Sequence, residues 1–303
     1  MKGYVFDFET AAVLPRNADL QGHMPLGITC AAGIKTDGKE PELWWAGMSQ
    51  PSFFGANYAD QMTNLEVMSM LHYLAMVHLE GYPAITWNGV GFEWLELGHE
   101  TGLWQEVKVL ALLHYDLMFQ LLRQAGHFVG LDKAERGMGL PGKAIAGMTG
   151  YDAPVLWQKQ PEDVLSYVSQ DVTQPLQFIK ATELAGFVCY AYSRAGDEEI
   201  NHDLDRDKPN FGSVDLKEWL PVWKVFDLPE PDRRGYRNPP PTCYEVLRWV
   251  LELPPLTQST PWALQPELKE QGLAVEDRLE SLRVRLARID EAKATNATVR
   301  RTR

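Results

Sequence analysis

The sequence predicts an α/β protein built on a mixed sheet flanked by helices. Three observations carry this. The first is a set of short strand-like runs, Tyr4 to Phe8, Ile28 to Ile34 and Leu43 to Ala46, able to form an antiparallel meander. The second is a long helical stretch leading into a further strand at Ala84 to Trp87. The third is a helix-start signature at Pro161-Glu162-Asp163.

In Tyr4-Val5-Phe6-Asp7-Phe8-Glu9, apolar residues surround two carboxylates placed two apart. Side chains at i and i+2 of a strand share a face, so Asp7 and Glu9 stand together while Phe6 and Phe8 face the other way. Tyr58 to Leu79 carries Met62, Leu65, Met68, Leu71, Leu74 and Val77, a helical rather than alternating period. Its methionines read as core packing. A second helix begins near Val90 or Gly91, and a short strand reads at His114 to Leu117. The helix opened by Pro161 has acids at the positive end of its dipole and runs through Tyr167 and Asp171 to about Leu184.

After about Asn201 the chain changes character. Eleven of the 20 prolines fall between Pro209 and Pro266, interleaved with Trp219, Trp223, Trp249 and Trp262, which indicates an ordered appendage rather than a linker. The expected organisation is a domain over 1–200, a mostly helical Trp/Pro-rich extension over 201–290, including an amphipathic helix from Val275 to Ile289, and a basic, disordered tail over 291–303.

Composition bounds the function. With 303 residues and 45% apolar content the chain buries one substantial core. Neither a signal peptide nor a membrane anchor fits the first residues, and the longest apolar stretch, Val109 to Leu122, is broken by His114, Asp116 and Gln120. Cys30, Cys189 and Cys243 are odd in number and lack metal-ligand spacing, which predicts reduced thiols, a cytoplasmic location and no zinc. A net charge of −12 disfavours a general nucleic-acid binder. It is compatible with an enzyme whose metals offset its own carboxylates and a substrate phosphate.

Two buried carboxylates side by side repel unless a divalent cation lies between them, and hard oxygen ligands suit Mg²⁺ or Mn²⁺. A lone D-x-E pattern is weak evidence, expected about six times by chance at this acidic content. The partners further along the chain decide its meaning. Thr86-Trp87-Asn88-Gly89-Val90-Gly91-Phe92-Glu93 reads as a strand ending in a turn that delivers an acid to the first turn of a helix. Alone, Glu93 would simply favour the helix dipole and Asn88 would be a turn residue. Tyr167 and Asp171 stand at i and i+4, one turn apart on one helix face, where by themselves they would read as a half-buried pair.

Taken together, Phe6-Asp7-Phe8-Glu9-Thr10, Asn88-Gly89 with Phe92-Glu93, and Tyr167 with Asp171 resemble, in order and spacing, the three motifs of the DEDD superfamily of 3′-5′ exonucleases in its tyrosine-bearing (DEDDy) branch. The resemblance spans roughly 1–195. It implies a ribonuclease H-like five-stranded sheet of order 3-2-1-4-5. It also implies that Asp7, Glu9, Glu93 and Asp171 hold two divalent metals roughly 4 Å apart that clamp attacking and leaving oxygens. Tyr167 would orient or deprotonate the water, though an ordinary Tyr pKa near 10 makes a poor base at neutral pH. Thr10, Asn88 and Phe92 would hold the terminal nucleotide. The implied reaction shortens single-stranded DNA or RNA from 3′ ends, releasing nucleoside 5′-monophosphates.

One residue departs from the family pattern: its second motif carries Asp where this chain has Glu93, whose side chain reaches about 1.5 Å further. Mg²⁺ demands near-ideal octahedral geometry, so activity with a preference for Mn²⁺ is expected. Asp116 is weighed equally as support for the site and as a turn cap. His99, His114, His127 and His202 show no ligand spacing. Gly137 to Lys143 lacks the spacing of a phosphate loop, although Lys143 flanks the third motif. The competing reading is a catalytically weakened ribonuclease H-like module that binds nucleic acid or protein, with the C-terminal extension as a surface for a protein partner. Glu93 favours it; the converging acids oppose it.

Overall fold

The computed structural model of the chain describes residues 1–15, 18, 20–49, 58–141, 149–191, 211–229 and 241–251. Its centre is a five-stranded sheet of β1 (Tyr4–Thr10), β2 (Ile28–Lys35), β3 (Glu42–Trp45), β4 (Ala84–Thr86) and β5 (Tyr115–Asp116), in the order β3-β2-β1-β4-β5. β2 runs antiparallel to both β1 and β3, whereas β4 is parallel to β1 and to β5. This is the mixed α/β sheet the sequence predicts, in a ribonuclease H-like order.

Between the strands and after them lie α1 (Asn64–Leu79), α2 (Glu93–Thr101), α3 (Trp104–Leu113), α4 (Leu117–Ala125), α5 (Leu131–Gly137), α6 (Ala153–Trp157) and α7 (Pro161–Ala185). The helix expected from Tyr58 begins at Asn64, because Thr63 and Glu66 close a reciprocal capping box that fixes its N-terminus. The apolar stretch from Val109 to Leu122 divides into the end of α3, the short β5 and the start of α4, broken where Asp116 caps α4 through the Phe119 N–H at 2.9 Å.

Alternation along β1 sorts its residues between two layers. Tyr4, Phe6 and Phe8 face α1 and the start of α2, where Tyr4 meets Tyr73 and Phe8 meets Phe92. Asp7 and Glu9 belong to the other face, which α7 covers. β2, buried along Ile28–Ile34, reads as an uninterrupted apolar run because both its faces are covered.

The compact unit containing the sheet extends over Met1–Pro254. It includes an antiparallel ribbon of β6 (Phe187–Ala191) and β7 (Phe211–Asp215), the short α8 (Val222–Val225) and α9 (Cys243–Leu251). Long-range bonds tie the part after residue 210 to α4: Gln120 donates to the Glu218 carbonyl, and Arg123 to the carbonyls of Leu228 and Phe226. The helix expected over 275–289 and the basic tail lie outside the described residues. Among the described residues, no helix is long and apolar enough to cross a membrane.

Candidate metal centre and adjoining cavity

β1 carries Asp7 and Glu9 at its C-terminal half, where the register with β2 shifts between Glu9 and Thr10. α7 brings Asp171 onto them. Oxygen atoms of Asp7, Glu9 and Asp171 all lie within 4.8 Å of one another, with Glu9 and Asp171 buried and Asp7 partly open. Among the described residues, this is the group of acids close enough to hold a metal ion. Three hard oxygen donors, mostly withdrawn from water, fit a divalent cation.

Glu93 is placed beside this group rather than within it. It opens α2, is 4% exposed, and shares a side-chain hydrogen bond with Asp7. Burial, then the negative charge of Asp7, pushes its carboxyl well above the usual range, and Oε2 has no partner. A buried, unpartnered carboxyl oxygen at the edge of three other acids fits a divalent cation as its partner.

Tyr167 is buried one turn from Asp171, with its phenol hydrogen-bonded to that carboxylate. Burial comes first, and the charges of Asp171, Glu9 and Asp7 follow, in raising its pKa well above the ordinary value. The phenol therefore stays protonated and acts here as a hydrogen-bond donor rather than as a base.

The turn from Asn88 to Phe92 is fixed by groups far away in sequence. Asn88 adopts a left-handed φ of 78°, and a Cβ at Gly91 would lie 2.4 Å from the Asn88 side-chain oxygen. The Asp116 carboxylate, 1% exposed at the end of β5, accepts the N–H groups of Asn88 at 3.0 Å and Val90 at 2.9 Å. Asp116 thus caps α4 and holds the turn at once. Burial pushes it up to about 6 against these hydrogen bonds. The helix starts at Glu93 rather than at Val90 or Gly91 because this clamp keeps the turn out of helical register.

Behind the turn, His114 is fully buried and held down to about 3 by desolvation, so it is neutral. Its Nδ1–H donates to the Ala111 carbonyl at 2.7 Å, and Nε2 accepts from the Thr86 hydroxyl at 3.1 Å. Thr86 in turn accepts the Gly89 N–H at 3.0 Å. The 3.9 Å approach of His114 to Asp116 is therefore not an ion pair. His114 thus supports the turn from within the core through Thr86.

Two cavities flank the acids. One, about 610 Å³, is lined by Glu9, Thr10, Asn88, Phe92, Leu26 and Tyr151 among others. The other, about 470 Å³, is lined by Asp7, Glu93 and Asp171 together with Asp132 and Lys133 of α5. Thr10, Asn88 and Phe92 thus share one largely apolar cavity next to Glu9. Sequence reading missed Tyr151, Asp132 and Lys133, whose arrival depends on chain folding with no local pattern. Lys143 and His202 lie outside the described residues.

The wall of the larger cavity rests on a second acidic pair. Glu96, fully buried, accepts the Leu26 N–H at 2.5 Å, and Glu100 accepts the Gly27 N–H at 2.9 Å. Burial pushes Glu96 up to about 7. A raised carboxyl keeps its proton preferentially in the folded state, so stability is greatest below the ordinary Glu value, falls as pH rises towards 7, and is flat above. Glu96→Gln, which is always neutral, is expected to remove this decline. It should gain on the order of 3 kcal/mol at pH 8 relative to pH 4.5. Urea unfolding of both proteins across that range checks this; parallel profiles would refute it.

No protein-family model matches the chain, and no curated protein is similar to it. Among solved structures, the family B DNA polymerase of the hyperthermophilic archaeon Pyrobaculum calidifontis is similar over 61% of this chain, at 14% identity and a TM-score of 0.39. The chain spans 24% of that polymerase's length.

Proposed function

We propose that the protein is a metal-dependent 3′-5′ exonuclease that hydrolyses phosphodiester bonds at the 3′ ends of single-stranded DNA or RNA and releases nucleoside 5′-monophosphates. The observation that carries this reading is the convergence of Asp7, Glu9 and Asp171 within 4.8 Å, beside Tyr167 and an apolar cavity. A silent binding module has no physical need for buried acids packed so closely, since their mutual repulsion costs stability with nothing gained.

Asp7, Glu9 and Asp171 would hold Mg²⁺ or Mn²⁺, with Glu93 as a further ligand on the side of Asp7. A divalent ion there would acidify a water and neutralise charge on the scissile phosphate. The remaining work falls to the chain's own groups. Tyr167, protonated, would orient the attacking water or a phosphate oxygen by donating its O–H. Phe92, packed on Phe8 with ring centroids 5.7 Å apart, would offer a face on which the terminal base stacks. Thr10 and Asn88, which line the same cavity, would hydrogen-bond the terminal sugar and phosphate.

The test is to incubate the protein with 3′- and 5′-labelled single-stranded DNA and RNA in Mg²⁺, Mn²⁺ or EDTA. Stepwise metal-dependent shortening from the 3′ end is expected, faster in Mn²⁺, and the preferred sugar is read from the same gel. Absence of cleavage of every substrate in both metals would favour the silent module.

A further inference from the structure

The turn that delivers Glu93 is clamped on its second side by a residue beyond the ribonuclease H-like sheet. The Trp249 indole N–H of α9 donates to the Val90 carbonyl at 2.9 Å, while the Val90 N–H is held by Asp116. Both polar groups of one buried residue are thus fixed, one from β5 and one from α9. The same indole packs edge-on against Trp104, with centroids 6.1 Å apart. Trp104 presses on α2 so closely that a Cβ at Gly98 would lie 2.3 Å from its ring. α9 therefore bears directly on the turn before Glu93, and on the middle of α2 only through Trp104 of α3. It also forms one side of a cavity lined by Glu245 and Val246 with Asn88, Gly91 and Gln21.

We infer that Trp249 is a positioning residue: its bond to Val90 holds the Asn88–Glu93 turn in the geometry that places Glu93 against Asp7, so that a helix outside the sheet sets the metal affinity of the site. The inference rests on the proposed function for its kinetic consequence, but not for its effect on metal binding. The lever is short. Val90 lies three residues before Glu93, and Phe92 between them has the non-helical backbone of the residue that precedes the helix. Removing a group that orients a ligand in this way typically lowers metal affinity or activity by about tenfold or more.

Trp249→Phe keeps an aromatic ring against Trp104 and removes the N–H. Its Mn²⁺ affinity, read by electron paramagnetic resonance titration, is expected to fall about tenfold. Under saturating metal, kcat should fall, and KM for a single-stranded oligonucleotide should rise as well, because Asn88 and Phe92 of the same turn line the substrate cavity. Should this variant fail to fold by circular dichroism, benzothienylalanine at position 249, which has the indole's shape without its N–H, carries the comparison. Cys243→Ser is the structural control. It alters the contact of α9 with the Phe119 carbonyl while leaving the Trp249 bond to Val90 in place, and should lower the melting temperature without moving Mn²⁺ affinity. Equal Mn²⁺ affinity in wild type and Trp249→Phe overturns the inference, as does an equal loss in Cys243→Ser. A wild type that binds Mn²⁺ but cleaves nothing removes the exonuclease reading, while the titration still decides the role of Trp249.

Discussion

Asp7→Asn is expected to abolish exonuclease turnover, with a loss of at least about 10³-fold, and at the same time to make the metal-free protein more stable. Asp7 stands within 4.8 Å of Glu9 and Asp171 and is hydrogen-bonded to Glu93, so four acids converge on one partly dry site. Without a cation their repulsion opposes folding, and the neutral amide relieves it by about 1–2 kcal/mol. With a cation the balance reverses, because the wild type gains the binding free energy of the ion and the variant loses a ligand. Wild type should therefore melt higher in Mn²⁺ than in EDTA, whereas Asp7→Asn should melt above wild type in EDTA and respond little to Mn²⁺. Wild-type turnover in the variant, or a full metal-induced shift in its melting, would remove Asp7 from the site.

Asp116→Ala is expected to be the most destabilising single change near the site, at about 4 kcal/mol. The carboxylate accepts the N–H groups of Asn88, Val90 and Phe119, and all would be left unpaired, at about 1–3 kcal/mol for each buried donor. That is a large share of the 5–15 kcal/mol typical of a folded domain. Asp116→Asn retains one acceptor oxygen and should lose roughly half as much. Urea unfolding of the three proteins gives the numbers; a loss under about 1 kcal/mol in Asp116→Ala would mean that the turn and α4 hold without it. Since His114 is neutral, Asp116 has no ionic partner among the described residues, and its worth lies in the backbone groups it satisfies.

The two changes act at opposite ends of one mechanical chain. Asp116 and Trp249 fix the N–H and the carbonyl of Val90, the turn fixes Glu93, and Glu93 meets Asp7. Loosening either clamp reaches the metal ligands through at most a few residues of backbone.

Local pattern alone was enough for the five strands of the central sheet and for α1, α2 and α7, but not for the ribbon of β6 and β7. Alternation in Tyr4 to Glu9 placed Asp7 and Glu9 on one face and Phe6 and Phe8 on the other. The i, i+4 spacing of Tyr167 and Asp171 placed both on one side of α7. Periodicity is written residue by residue, and no distant contact is needed to read it. The order β3-β2-β1-β4-β5 was reached through the resemblance of the motif set, and the strand pairing carries the same order.

Only the tertiary structure decided what surrounds those residues. It set the start of α2 at Glu93, beside the three acids rather than among them, because Asp116 and Trp249 reach the preceding turn from 26 and 159 residues away. It raised Glu93, Glu96 and Asp116 and lowered His114 through burial, a property of the packed molecule. It made Tyr167 a hydrogen-bond donor that keeps its proton, through burial and through neighbouring carboxylates that come from β1 as well as from its own helix. The sequence by itself determined which residue types face each other along each element. How dry, how charged and how firmly held they are follows from contacts between elements distant in the chain, which no local pattern encodes.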